Sequence, residues 1–119
     1  MLEAKRFADS EAQLREALKQ NPSAPTAHMY LGLALAHLGN YDEAEKELLR
    51  ATEAGGDQLG LAHYYLGGLY WRKRDYGRAA EELETYLRLS PNAADAQRVR
   101  ATIKDMRRLG ALNKFQQEG

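Results

Sequence analysis

The sequence predicts an all-α fold of stacked helical hairpins, and three observations predict it. Segments recur at a fixed spacing of 35 residues: His28-Met29-Tyr30-Leu31-Gly32 returns as His63-Tyr64-Tyr65-Leu66-Gly67, Asn40-Tyr41-Asp42-Glu43-Ala44 as Asp75-Tyr76-Gly77-Arg78-Ala79, and Glu47-Leu48 as Glu82-Leu83. A period of that size marks a repeat array in which each copy is one supersecondary unit. Pro, Gly and Asn punctuate the chain into helix-length segments, and no stretch shows the strict alternation of a half-buried strand.

The elements follow in order. A first helix from about Leu2 to Gln20 ends before Asn21-Pro22, because proline disfavours helix in the residue ahead of it. Ser23 is the expected N-cap of a second helix, with Pro25 in its first turn, that runs to about Leu38. Gly39-Asn40 ends it, glycine tolerating the left-handed conformation of a helix terminus. Asn40 caps a third helix, whose Asp42 and Glu43 suit the positive end of the helix dipole and which stops at Gly55-Gly56. The second copy repeats this plan, with a helix from about Gln58 to Lys73 and another capped by Asp75 that ends at Ser90-Pro91. A last helix is expected over about Ala93 to Leu109, closing at Gly110. Residues 111–119, weakly periodic, read as a flexible tail.

Spacing within the helices marks the buried faces. His28, Leu31, Gly32, Leu35 and Leu38 fall on one stripe, as do His63, Leu66, Gly67 and Tyr70. Ala44, Leu48 and Ala51 line one face of the third helix, and Ala79, Leu83 and Leu87 its later counterpart. Gly32 and Gly67 lie mid-helix, where glycine costs about 1 kcal/mol relative to alanine, so close packing is the expected reason for them.

A hairpin of this length, with Leu-Gly in its first helix and spaced alanines in its second, resembles the tetratricopeptide repeat. The matching run is His28-x2-Leu31-Gly32-x2-Leu35 with Ala44-x3-Leu48 and Ala51, then His63-x2-Leu66-Gly67-x2-Tyr70 with Ala79-x3-Leu83 and Pro91. Phe7, Ser10, Leu14, Ala17, Leu18 and Pro22 hold the second-helix places of a partial earlier copy in the same frame. His replaces the family's frequent Trp in both copies, Gly55-Gly56 replaces a closing proline, and Tyr86 stands where alanine is expected. The resemblance covers roughly residues 7–109 and implies a right-handed helical-hairpin solenoid. It divides the chain into a repeat domain over 1–110 (partial repeat 1–24, full repeats 25–59 and 60–93, capping helix 94–110) and the tail over 111–119.

The bulk composition narrows function. Lys plus Arg and Asp plus Glu both number 17, so no net charge draws the chain toward nucleic acid or anionic lipid. The bases of the last helix, Arg98, Arg100, Lys104, Arg107 and Arg108, read as the solvating charge of a capping helix. There is no cysteine, which removes disulfides and thiol chemistry. No apolar run reaches the roughly 20 residues that span a bilayer, and the start has no signal-peptide core, so a soluble chain of unknown compartment is expected. His28 and His63 occupy equivalent places in adjacent copies, which stacking sets at least one helix spacing, about 8–10 Å, apart. That is too far for shared zinc ligation at ~2.0–2.1 Å, so both read as structural histidines. No nucleophile, base and orienting group can be named together, no phosphate loop is present, and neither enzyme activity nor a metal or cofactor is expected.

A second stripe on the first helix of each copy carries the functional reading. It holds Met29, Leu33, Ala36 and His37, then Leu61, Tyr64, Gly68, Trp71 and Arg72. The resemblance places this face on the concave groove of the array, where a peptide or helical partner segment would lie, with Trp71 as an aromatic anchor. The apolar residues there differ from the Lys and Asn with which some family members clamp a terminal carboxylate. The other expectation is self-assembly: the helix carrying Phe7, Leu14 and Leu18 lacks its own first helix, so a weak homodimer through that face is predicted, or coverage by another segment of a larger protein.

Overall fold

The computed structural model describes residues 2–55 and 60–118, which form six α-helices: α1 (Leu2–Gln20), α2 (Pro25–His37), α3 (Tyr41–Gly55), α4 (Gly60–Arg72), α5 (Tyr76–Leu89) and α6 (Ala96–Glu118). No strand occurs among the described residues, and none of their helices is long and apolar enough to cross a membrane. The predicted helix breaks at Gly56 and the start at Gln58 lie outside the described residues. The chain divides into two compact units, Met1–Ala62 and His63–Gly119.

In the first unit α2 packs against both α1 and α3. Its buried arc is therefore wider than one stripe and takes in His28, Met29, Leu31, Gly32, Ala34 and Leu35. Leu31, Leu35, Ala44, Leu48 and Ala51 are essentially sealed from solvent, as the predicted faces require. Gly32 is there for contact: a Cβ built on it would stand 2.7 Å from Leu48 Cγ and 3.2 Å from the Ala44 carbonyl oxygen. In the second unit α5 packs against α6, and Gly67 faces Leu83 in the same way, with a built Cβ 3.0 Å from Leu83 Cδ2.

The turn from the first helix of each hairpin to the second is built identically. Gly39 (φ 88°) donates to Ala36 and Asn40 to Leu35; Arg74 (φ 62°) donates to Trp71 and Asp75 to Tyr70. This is the two-bond closure of a helix end by a left-handed residue, met by glycine in one copy and by a strained arginine in the other. Asp75 then caps α5, its carboxylate accepting from the Arg78 N–H.

Three predicted boundaries need correction. The N-cap of α2 is Ala24, with no side-chain bond, rather than Ser23: Pro25 occupies the first helical position with its φ already helical, which sets the start one residue later. α6 begins at Ala96 rather than Ala93, because hydrogen-bonded turns after Ser90 consume the intervening residues. It also does not close at Gly110. It passes the start of α5 beside Tyr76 and Gly77 and continues to Glu118, the run after Gly110 holding no proline to stop it.

Candidate functional site

Helical spacing puts Tyr64, Gly68 and Trp71 on one stripe of α4, half-buried at Tyr64 and exposed at the other two, each a turn from the next. Across from them α6 presents Arg98, Thr102, Asp105 and Leu109, while Leu83, Val99 and Met106 make the floor. The space between is a groove of about 530 Å³. Its apolar character is open to solvent: Trp71 is 53% exposed and Leu109 39%. Gly68 contributes no wall at all, since a Cβ built on it would meet nothing within 4 Å.

One end of this groove is fastened by a polar network. Tyr86 donates from its hydroxyl to Asp95 at 2.9 Å, and Arg98 donates to the other Asp95 oxygen at 2.9 Å and to the Tyr64 hydroxyl at 3.2 Å. The Tyr64 and Tyr86 rings lie 5.1 Å apart. The bond to Asp95 holds the Tyr86 hydroxyl above the ordinary phenol range, because an anion nearby resists a second negative charge. Tyr86, which departs from the alanine expected there, thus links α5 to the turn before α6.

The first unit has a separate depression of about 380 Å³ between α1 and α2, lined by Phe7, Leu14, Tyr30 and Leu33. Tyr30 is 52% exposed. The Phe7 ring stacks on His37 at 4.3 Å, nearly parallel.

Each hairpin also carries a buried polar tie between its two helices. His28 Nδ1 lies 2.6 Å from Glu47, and His63 Nδ1 lies 2.6 Å from Glu82. His28 donates from Nε2 to the Pro22 carbonyl at 2.7 Å, and Arg50 pairs with Glu47 as well. Among the described residues no group bonds His63 Nε2, and no three His, Cys, Asp or Glu gather as a metal site would need.

Residues 2–58 and 60–103 match the tetratricopeptide repeat. The chain belongs to that family. It is also similar to cell division cycle protein 27 homolog A of Arabidopsis thaliana, with 27% identity over 102 residues, or 86% of this chain. The chain spans 14% of that relative's length.

Within this tetratricopeptide frame the predicted groove residues separate. Tyr64 and Trp71 share the α4–α6 groove, and Arg72 is exposed in the last turn of α4. Leu61 is 46% exposed at the start of α4. Met29 is a correction: at 7% exposure it belongs to the core, buried by the wide packing arc of α2. Leu33 and His37 face α1, so they meet Phe7 and Leu14, residues assigned beforehand to self-association. Leu18 is half-buried in a different depression, beside Leu31 and Pro22. The α6 rim and Tyr30 were missed. So were the His–Glu ties, although the recurrence of Glu47 as Glu82, each 19 residues after its histidine, was a signal for them.

Proposed function

We propose that the chain is a non-catalytic protein-interaction module that holds a peptide or helical segment in the apolar groove between α4 and α6. The observation that carries this reading is the exposure of Trp71 at 53% on the wall of a 530 Å³ groove whose floor is Leu83, Val99 and Met106. Large rings left in water at a concave surface are the usual anchors of binding, since a ring buries much area while losing little rotamer freedom. A contiguous apolar groove favours interaction over mere surface scatter. Membership of the tetratricopeptide family supports the same class of function.

The test is a pull-down with the wild-type chain beside Trp71→Ala and Leu109→Ala, both checked for retained helicity by circular dichroism. Folded variants that lose the partners retained by wild type support the groove. Folded variants that retain every partner refute it.

A second reading, self-assembly, is favoured by the depression at Phe7, Leu14 and Tyr30. Ser10 and Ala17 on α1 are exposed, whereas Ala44 and Ala51 at the matching places of α3 are sealed. Sedimentation over a wide concentration range tests it. A dimer lost on Leu14→Lys supports self-assembly, and a monomer throughout rejects it.

A further inference from the structure

The two buried histidines make the same bond from one ring nitrogen and differ at the other. Each stands 19 residues before a glutamate that it meets through Nδ1 at 2.6 Å. At Nε2, His28 donates to the Pro22 carbonyl at 2.7 Å, whereas no described residue bonds His63 Nε2. The difference decides how many protons each ring must carry. A neutral imidazole has one N–H and one bare lone pair, while a carbonyl and an ionised carboxylate only accept. His28 therefore makes both of its bonds only as the imidazolium. His63 makes its one bond as a neutral ring.

The charges that face His28 leave room for that proton. On α3, Arg50 pairs with the second oxygen of Glu47, which favours the ionised carboxylate, and Glu53 borders the same side of the ring. On α1, Arg15 and Lys19 border the other side. Arg15 is matched by Glu11 and Glu43 and Lys19 by Glu16, so neither presents an uncompensated positive charge to the ring.

When the ring gives up a proton, one of its two bonds must go. A bond to a charged acceptor is the stronger kind, so the remaining N–H stays at Nδ1 with Glu47. A bare lone pair is then left against the Pro22 carbonyl. Pro22 lies in the turn that joins α1 to α2, where Ala24 bonds back to Asn21. Repulsion there loosens the turn, and with it the hold on α1, whose Phe7 and Leu14 wall the depression shared with α2.

We propose that His28 is a proton-operated latch, which ties the α1–α2 turn to α3 when the ring is charged and releases that turn when the ring is neutral. The hold is present below the ordinary histidine value of about 6.5 and is lost as pH rises past it. The second hairpin carries the same His–Glu pair without the second bond and does not respond.

Amide hydrogen exchange of the full chain tests the latch, through protection factors at Asn21, Ala24 and His28, whose N–H groups bond in and beside the turn. Between about pH 5.5 and about pH 8, either side of the histidine value, wild-type protection there should fall about three- to tenfold, the weight of one neutral hydrogen bond. Glu47→Gln separates the latch from mere packing. Its amide oxygen can stay with Arg50 while its amide nitrogen donates to Nδ1, so that a neutral ring keeps Nε2–H on Pro22. That variant should fold and lose the pH response. His37→Gln, which removes the ring stacked on Phe7, and His63→Gln should leave the response unchanged. The imidazole nitrogen shifts of the wild type, which need no substitution, should show both nitrogens of His28 protonated at the acid end.

Equal protection of the turn at both pH values refutes the latch, as does a neutral His28 ring at the acid end in the folded chain. A response that survives Glu47→Gln, or that vanishes in His37→Gln or His63→Gln, refutes it too. If Glu47→Gln does not fold, the ring nitrogens of the wild type decide alone.

Discussion

Replacing three helical glycines by alanine separates packing from propensity. At Gly32 the new Cβ would lie 2.7 Å from Leu48 Cγ and 3.0 Å from Cδ2. The optimum for two carbons is about 3.5–4.0 Å, so one of them must move. Leu48 is sealed from solvent, and the contact is at its branch point rather than its tip, so the movement spreads into α3. Overpacking of this kind costs about 1–3 kcal/mol, against a helix-propensity gain of about 1 kcal/mol for removing glycine. The balance for Gly32→Ala is a loss of about 1 kcal/mol. Gly67→Ala is milder, since its Cβ would stand 3.0–3.1 Å from Leu83, which borders the open groove and has room to turn. It should be close to neutral. Gly68→Ala meets nothing and should gain about 0.5–1 kcal/mol. Urea unfolding reads the order directly, each kcal/mol moving the midpoint by about 0.3–1 M. A Gly32→Ala midpoint above wild type, by as much as that of Gly68→Ala, would refute the close-contact argument.

Other expectations follow from the same geometry. His28→Ala should cost about 1–3 kcal/mol by stripping a hydrogen bond from a nearly buried carboxylate. His63→Ala should cost less, because the Glu82 side chain is 22% exposed against 10% for Glu47 and can turn to water; thermal melts of the two variants compare them. Arg74→Gly should raise the melting temperature, relieving a left-handed backbone that costs a non-glycine residue about 1–2 kcal/mol. Tyr86, raised by its bond to Asp95, contributes stability that is intact below the ordinary phenol range and is lost as pH rises through the folded-state value. Alkaline difference absorbance against Tyr86→Phe should place its ionisation late, and Asp95→Asn should bring it earlier.

The parts legible in the sequence are those in which one residue type serves one geometric need. Gly39 at a left-handed turn, Asp75 at a helix start and Gly32 opposite Leu48 each follow from local rules, and the 35-residue recurrence sets them in register. The α6 wall of the groove was not legible for a different reason. Spacing sets Val99, Ile103, Met106 and Leu109 on one face of that helix, and the first three are buried, but Arg98, Thr102 and Asp105 beside them make no apolar stripe, and nothing in the spacing says that Leu109 stays 39% exposed. Met29 misled because a single stripe was assumed for a helix with neighbours on two sides. The His–Glu ties lay hidden because charged residues on a packing stripe invite the reading of a surface, when each here finds its counterpart across the hairpin.

The most direct test of the central claim is site-specific photo-crosslinking in the full chain. A photoreactive side chain is placed in turn at Thr102, inside the groove, and at Lys46, exposed on α3. The account predicts a crosslinked partner from Thr102 that disappears in the Trp71→Ala background, and none from Lys46. Equal crosslinking from both positions, or a partner captured from Thr102 whether or not Trp71 is present, would contradict it.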